Sequence, residues 1–384
     1  MPASLDEMDL QSAAVPLPPT VALLLQGGGA LGSYQAGVFS ELIRQNVRID
    51  WVAGISIGAI NSAIIAGNEP HVACQRLREF WELVTSGAPD FVWGDSDALR
   101  EINHFAGAAM AATVGVPGFF RPHLIPAPFA WPGTPAAVSM YDTSEMAKTL
   151  DRFVDWDRLN NGPVRLSVGA VNVESGNFYY FDTRDPQGPQ TIDARHVLAS
   201  GALPPGFPPI EINGKYYWDG GLVSNTPLAY VLDNQTSDML AFQVDLFPAR
   251  GEVPTKFADV MSREKDIRYS SRTRQVTDYY LKLRKEHAAL RNVLSMLPSD
   301  MCSQPDVQRM RALVNDNAVN IVHLIYKVQK WESGMRDFEF SRATMEVHWQ
   351  QGIDAVRATM QKGDILAQNI LDGKTAAFDL APHK

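Results

Sequence analysis

Asp50-Trp-Val-Ala-Gly54-Ile-Ser56-Ile-Gly58-Ala-Ile-Asn61 is the stretch whose reading decides the fold. A short apolar run, Trp51 to Ala53, meets Gly-x-Ser-x-Gly, and an apolar, alanine-rich run continues to Ala66. That order predicts strand, sharp turn and helix, with Ser56 on the turn. Gly54 and Gly58 keep neighbouring Cβ atoms away from a hydroxyl that the strained turn pushes outward. A helix beginning just after the serine aims its unpaired N–H groups and positive dipole end at any charge developing there. Taken alone, the motif is equally compatible with a plain glycine-rich turn.

Upstream, Val21 to Leu25 is a continuous apolar run of the kind found in a strand buried on both faces. Gln26-Gly27-Gly28-Gly29-Ala30-Leu31-Gly32 follows, then a helical stretch from Ser33 to about Gln45. Strand, glycine loop and helix together form an anion-binding device, with backbone N–H groups lining a concavity. Two functions compete for it. Gly27, Gly29 and Gly32 satisfy the dinucleotide fingerprint, which requires an acid at the end of the next strand. Asp50 has the right separation but precedes that strand. The other reading is an oxyanion hole made by Gly27, Gly28 and Gly29, which adjacent parallel strand–turn–helix units would place beside Ser56. The Gly-x-Ser-x-Gly that follows favours the second.

Downstream, Pro70 to Thr85 reads as a helix. From 89 to 138 proline and large apolar residues alternate, which predicts little regular structure in a segment too apolar to float free: a lid over the site, or a loop packed on the core. Ile210 to Trp218 is a hairpin with an Asn213-Gly214 turn, and it delivers Asp219-Gly220-Gly221 at its end. Asp219 there is either a turn residue capping the next element or an acid presented to a cleft. Beyond about 250 the sequence turns helical and charged, and basic residues outnumber acidic ones from Asp259 to Leu297. Such a helix either lies on an anionic membrane surface or packs on the core with a solvated face.

Composition narrows the classes. The chain has 384 residues, a net charge of −9 and an ordinary apolar content, which argues against nonspecific nucleic-acid binding. Its two cysteines, Cys74 and Cys302, match no metal spacing and suit a reducing compartment. Residues 1–19 lack the pattern of a signal peptide and read as a disordered tail, and no run is long enough to span a membrane. The expectation is a cytoplasmic protein, with peripheral membrane contact left open.

Ser56 needs a base, because a serine hydroxyl is a poor nucleophile until a neighbour takes its proton. None of the histidines after Asp219 (His287, His323, His348, His383) lies in the kind of glycine- or proline-rich loop that usually presents a catalytic imidazole. That leaves a direct Ser56–Asp219 dyad, which works only if the oxyanion is well stabilised.

These blocks resemble the patatin-like phospholipases. The resemblance rests on Gly27-Gly28-Gly29-Ala30-Leu31-Gly32, on Gly54-Ile55-Ser56-Ile57-Gly58, on Ala199-Ser200-Gly201-Ala202-Leu203-Pro204-Pro205-Gly206-Phe207-Pro208-Pro209, and on Asp219-Gly220-Gly221, in that order. It implies a three-layer α/β/α sandwich with a mainly parallel central sheet. It also implies Ser56 as nucleophile, Asp219 as base, the N–H groups of Gly28 and Gly29 as oxyanion donors, and no metal or cofactor. The expected layout is a catalytic domain over 20–250, with the insertion at 89–138, a mostly helical extension over 251–373, and a loose tail over 374–384. The family often has Arg where this chain has Leu31, which weakens the case for a phosphate-bearing substrate. The expected activity is hydrolysis of phospholipid-like acyl esters, with an esterase for short-chain or hydroxyacyl esters as the alternative. A nucleotide-binding protein and a non-catalytic membrane scaffold are the readings from other classes.

Overall fold

Alternation along the strands separates two apolar faces. In the first strand Val21, Leu23 and Leu25 point into one core, while Ala22 and Leu24 point into a second. Period-2 side chains buried on both sides require a layer of helices on each face. The computed structural model describes residues 15–88, 96–314, 317–329, 331, 332 and 334–381. Residues 1–14 of the tail expected over 1–19, the start of the insertion at 89–95 and the last three residues lie outside the described residues.

The strands are β1 (Thr20–Leu25), β2 (Trp51–Ile55), β3 (Arg121–Pro122), β4 (Tyr141–Asp142), β5 (Arg165–Asn172), β6 (Phe178–Asp182), β7 (Ile210–Ile212), β8 (Lys215–Asp219), β9 (Met239–Asp245), β10 (Val319–Ile325) and β11 (Ala376–Phe378). Nine of them form one sheet in the order β11-β10-β9-β1-β2-β5-β8-β7, with β6 also on β5; β3 and β4 make a separate ribbon. The run from β11 to β5 is parallel throughout, and β6, β7 and β8 are antiparallel.

The helices are α1 (Gly32–Arg44), α2 (Ile57–Ala66), α3 (Pro70–Val84), α4 (Asp97–Val114), α5 (Pro135–Val138), α6 (Ser144–Phe153), α7 (Trp156–Asn161), α8 (Ala194–Gly201), α9 (Leu228–Asp233), α10 (Phe257–Ser295), α11 (Pro305–Leu313), α12 (Arg342–Met360) and α13 (Gly363–Leu371). One face of the sheet carries α1, α2, α3, α8 and α12 through Phe39, Ile60, Trp81, Val197 and Met345. The other carries α9 and α10 through Leu228, Val231 and Tyr280. This is the three-layer α/β/α sandwich expected.

Three expectations need correction. Residues 15–19 are not a free tail: Val15 and Leu17 pack on the core, and Arg48 donates to the Pro19 carbonyl. The 89–138 segment contains the long helix α4, capped by Ser96 and built on an alanine-rich run; its prolines cluster only after residue 116. The region after 250 is mostly helical, as expected, and its strands β10 and β11 extend the central sheet. Residues 376–378, expected in a loose tail, are paired strand, and Leu380 and Ala381 are buried. Among the described residues no helix is long and apolar enough to cross a membrane.

Candidate active site

Ser56 sits between β2 and α2 with φ 56° and ψ −124°, a region that non-glycine residues rarely occupy. Two close approaches require the flanking glycines. A Cβ at Gly54 would overlap the Gly58 carbonyl, and one at Gly58 would overlap the Leu25 carbonyl. The turn is pinned by a residue far away in the chain: the Ser56 N–H donates to Ser200 Oγ at 3.0 Å, and the Ser200 hydroxyl donates to the Gly169 carbonyl at 2.6 Å.

Sheet register brings the acid to the serine. On β5, Gly169 pairs with Ile55 of β2, and the next residue, Ala170, pairs with Asp219 of β8. Because β6 occupies the other edge of β5 over the same residues, β2 and β8 share one edge and meet end to end. The C-terminal ends of both strands therefore converge, which sets Asp219 against Ser56. The Ser56 hydroxyl stands near enough to the Asp219 carboxylate to favour its ionised form. The Gly221 N–H donates to Asp219 Oδ1 at 2.7 Å. Burial dominates the acid's electrostatics: Asp219 is 2% exposed. Desolvation pushes its pKa up to about 6 against the opposing pull of the Ser56 hydroxyl and the Gly221 N–H.

The glycine loop follows β1, the strand beside β2, and so lies next to the elbow. Gly29 has φ +55°, and a Cβ on it would overlap the Asp337 carbonyl of the C-terminal region. Of the three candidate donors, Gly27 needs correction. Its N–H is taken by the Asn225 carbonyl at 3.3 Å, and its carbonyl accepts from Asn225 Nδ2 at 2.9 Å. Gly27 anchors the loop. The N–H groups of Gly28 and Gly29 have no acceptor among the described residues.

A buried polar network fixes the loop from behind. Gln35 Nε2 donates to the Gln26 carbonyl at 2.6 Å; Asn61 Nδ2 donates to the Gly32 carbonyl and to Gln35 Oε1, both at 2.9 Å. The Trp81 indole donates to Asn61 Oδ1 at 3.2 Å. Ser200, Asn225, Gln35 and Asn61 escaped the functional reading of the sequence. Their types are common, and only Ser200 and Asn61 stand inside quoted stretches.

No described histidine hydrogen-bonds to Ser56 or Asp219; His383 lies outside the described residues. His323 is paired with Asp245 and His348 with Glu332. Among the described residues no group of three or more His, Cys, Asp or Glu side chains could hold a metal. Asp50 sits at the far end of β2 from the glycine loop, where its carboxylate accepts the Val21 N–H at 2.8 Å, so it cannot serve a nucleotide ribose at that loop. A cleft of about 1090 Å³ between β6 and the β7–β8 hairpin, lined by Phe178, Arg195 and Tyr217, includes neither Ser56 nor Asp219 and plays no part in this chemistry.

Residues 23–232 match a family model described as patatin-like phospholipase, and 267–370 match a second described as patatin phospholipase. A lysophospholipase, NTE1 of Candida glabrata, is 25% identical over 63% of this chain, and the chain spans 11% of that protein's length. Among solved structures, VipD of Legionella pneumophila is similar at 14% identity and a TM-score of 0.36, covering 93% of this chain and 75% of its own. The type III effector ExoU is similar at 12% identity and a TM-score of 0.34, covering 91% and 54%. As the first model spans more than half of its residues, the chain belongs to the patatin-like phospholipase family.

Proposed function

We propose that this protein is a lipid acyl hydrolase that cleaves carboxylic esters of phospholipid or lysophospholipid type through a Ser56–Asp219 dyad. The observation that carries the proposal is the convergence of the C-terminal ends of β2 and β8, which sets a serine of strained backbone against a buried carboxylate whose raised pKa makes it a competent base near neutral pH. Ser56 Oγ attacks the ester carbonyl as its proton passes to Asp219. The Gly28 and Gly29 N–H groups hold the negative oxygen of the tetrahedral intermediate. Its collapse expels the alcohol, which takes the proton from Asp219, and leaves an acyl group on Ser56. Asp219 then deprotonates water, which attacks the acyl ester; a second tetrahedral intermediate releases the acid and restores Ser56.

Ser56→Ala, removing only the nucleophile, should abolish hydrolysis of lysophosphatidylcholine and of p-nitrophenyl esters, and labelling by a fluorophosphonate probe. The circular dichroism spectrum should not change. Full activity in that variant would remove the proposal. One observation favours a second reading. Leu31, where related sequences often carry Arg, is fully buried, so that position offers no cation to a phosphate. A preference for neutral short-chain esters over lysophospholipid in kcat/KM would decide for it.

A further inference from the structure

From Pro122 to Tyr141 the sequence contains no Asp, Glu, Lys or Arg. The structure makes this segment a closed loop. Its neck is the β3–β4 ribbon, fastened by an Arg121–Asp142 ion pair at 3.2 Å and by the His123 N–H donating to the Met140 carbonyl. Its tip folds on itself: Phe129 N–H donates to the Pro126 carbonyl, Ala130 to Ala127, and the Thr134 hydroxyl to Trp131. The large apolar side chains of the tip nevertheless point to solvent. Leu124 is 102% exposed, Phe129 80% and Trp131 81%. A lid would bury such groups over its own cleft, and a core-packed loop would bury them beneath it. This segment does neither.

We propose that the Leu124–Trp131 tip is an interfacial anchor that enters a lipid surface and seats the catalytic cleft on it. The choice of a lipid surface as occupant rests on the hydrolase reading; the rest comes from the segment itself. A charge-free tip crosses the headgroup layer without burying an ion, and Trp and Phe are the residues that settle at that depth. Five prolines, Pro122, Pro126, Pro128, Pro132 and Pro135, stiffen it and delete N–H groups that lipid would leave unsatisfied. The same prolines oppose strand pairing with a second copy. The neck is also tied to the site. The Met140 and Tyr141 N–H groups donate to the Gly206 carbonyl, and Phe120 packs on Tyr141 and Phe207. A few residues back, Ser200 holds the Ser56 N–H and the Ala202 carbonyl accepts the Asp219 N–H. A lipid engaged by the tip thus stands beside the segment that holds both reacting groups.

The test is flotation of the full chain with vesicles of neutral phosphatidylcholine. The parent should bind equally well at low and high salt, because no charge is involved. Leu124→Asp/Phe129→Asp/Trp131→Asp should weaken binding at least roughly tenfold, while leaving hydrolysis of soluble p-nitrophenyl butyrate unchanged. A parent that fails to bind, a triple variant that floats like the parent, or one that loses the soluble ester activity too would each overturn the proposal. So would binding that collapses with salt, which would assign the anchoring to the basic α10, or a parent that self-associates through this loop in sedimentation. Ser56→Ala should float like the parent, so failure of the hydrolase reading stays distinguishable from failure of this one.

Discussion

At the residue scale the site places one carboxylate in a setting that costs stability and supplies reactivity. Asp219 has a folded pKa of about 6, against an ordinary value of 3.8. The folded state therefore holds that proton more tightly than the unfolded chain does. Its contribution to stability is full below pH 4 and is lost as pH rises through 6. The isosteric neutral variant Asp219→Asn should consequently be more stable than the parent at pH 8, by about 2–3 kcal/mol from this group alone, with a melting temperature a few degrees higher, while hydrolysis is lost. A lower melting temperature would show that the ionised side chain is better solvated than its burial indicates. The same ionisation sets the pH profile. Only the carboxylate can accept the Ser56 proton, so kcat/KM should rise with pH and level off above an inflection near 6; an inflection at an ordinary carboxylate value would contradict the raised pKa. Ser200 acts through Ser56 as a positioning residue. Ser200→Ala leaves the Ser56 N–H without its acceptor in a backbone conformation that needs support, and kcat should fall roughly 10- to 100-fold with KM little changed. Equal loss in both would point to general disruption.

At the scale of elements, the parts of the site that were legible in the sequence are those that local chemistry dictates. Gly54, Ser56 and Gly58 announce the elbow, and Asn213-Gly214 announces the hairpin that delivers Asp219, because each turn is specified within a few residues. Ser200 and Asn225 were silent because their partners are 144 and 198 residues away in the chain. The reading of Gly27 as a donor failed for the same reason, since Asn225 claims its N–H. Helix α4 was hidden by the prolines after it. The crossing of α1 and α12 was equally unreadable. A Cβ at Gly352 would overlap the Tyr34 carbonyl, and one at Gly37 the Trp349 carbonyl, so the two helices touch through their backbones. Helix propensity alone says that Gly352→Ala should stabilise the protein by roughly 0.5–1 kcal/mol. Overlap with a rigid carbonyl says the reverse, by about 1–3 kcal/mol, and should win because backbone cannot rotate away as a side chain can. Thermal unfolding decides the sign. Activity should fall as well, because α1 starts at Gly32 and carries the glycine loop.

At the scale of the whole molecule, a chain that reads as a catalytic domain followed by an extension is one sheet and one fold. β9 lies between β1 and β10, and every residue from Met239 to Asp245 is buried. β10 comes from beyond the apparent boundary at 250 and completes that burial. Met239 N–H donates to the Ala318 carbonyl at 2.9 Å at one end, and Tyr326 N–H to the Asp245 carbonyl at 2.8 Å at the other. The same late region presses the Asp337 carbonyl onto Gly29, lays Tyr269 near the Asp219 charge and lends its main-chain carbonyl to the Gln26 side chain. Composition changes at this point from apolar strands to charged helices, yet composition does not record which strand pairs with which. The prediction is that a chain ending at residue 250 does not fold into an active monomer. Its β9 would become an apolar edge strand with an unpaired row of N–H and C=O groups, a template for aggregation. Meanwhile α1 would lose α12 and the glycine loop would lose its cover. Expressed alone, residues 1–250 should elute as aggregate on size exclusion, show no cooperative thermal transition and leave p-nitrophenyl esters intact. A soluble 1–250 chain with a sharp transition and the parent's kcat/KM would mean instead that β10 and Asp337 are dispensable, and that the glycine loop holds its shape through Asn225, Gln35 and Asn61 alone.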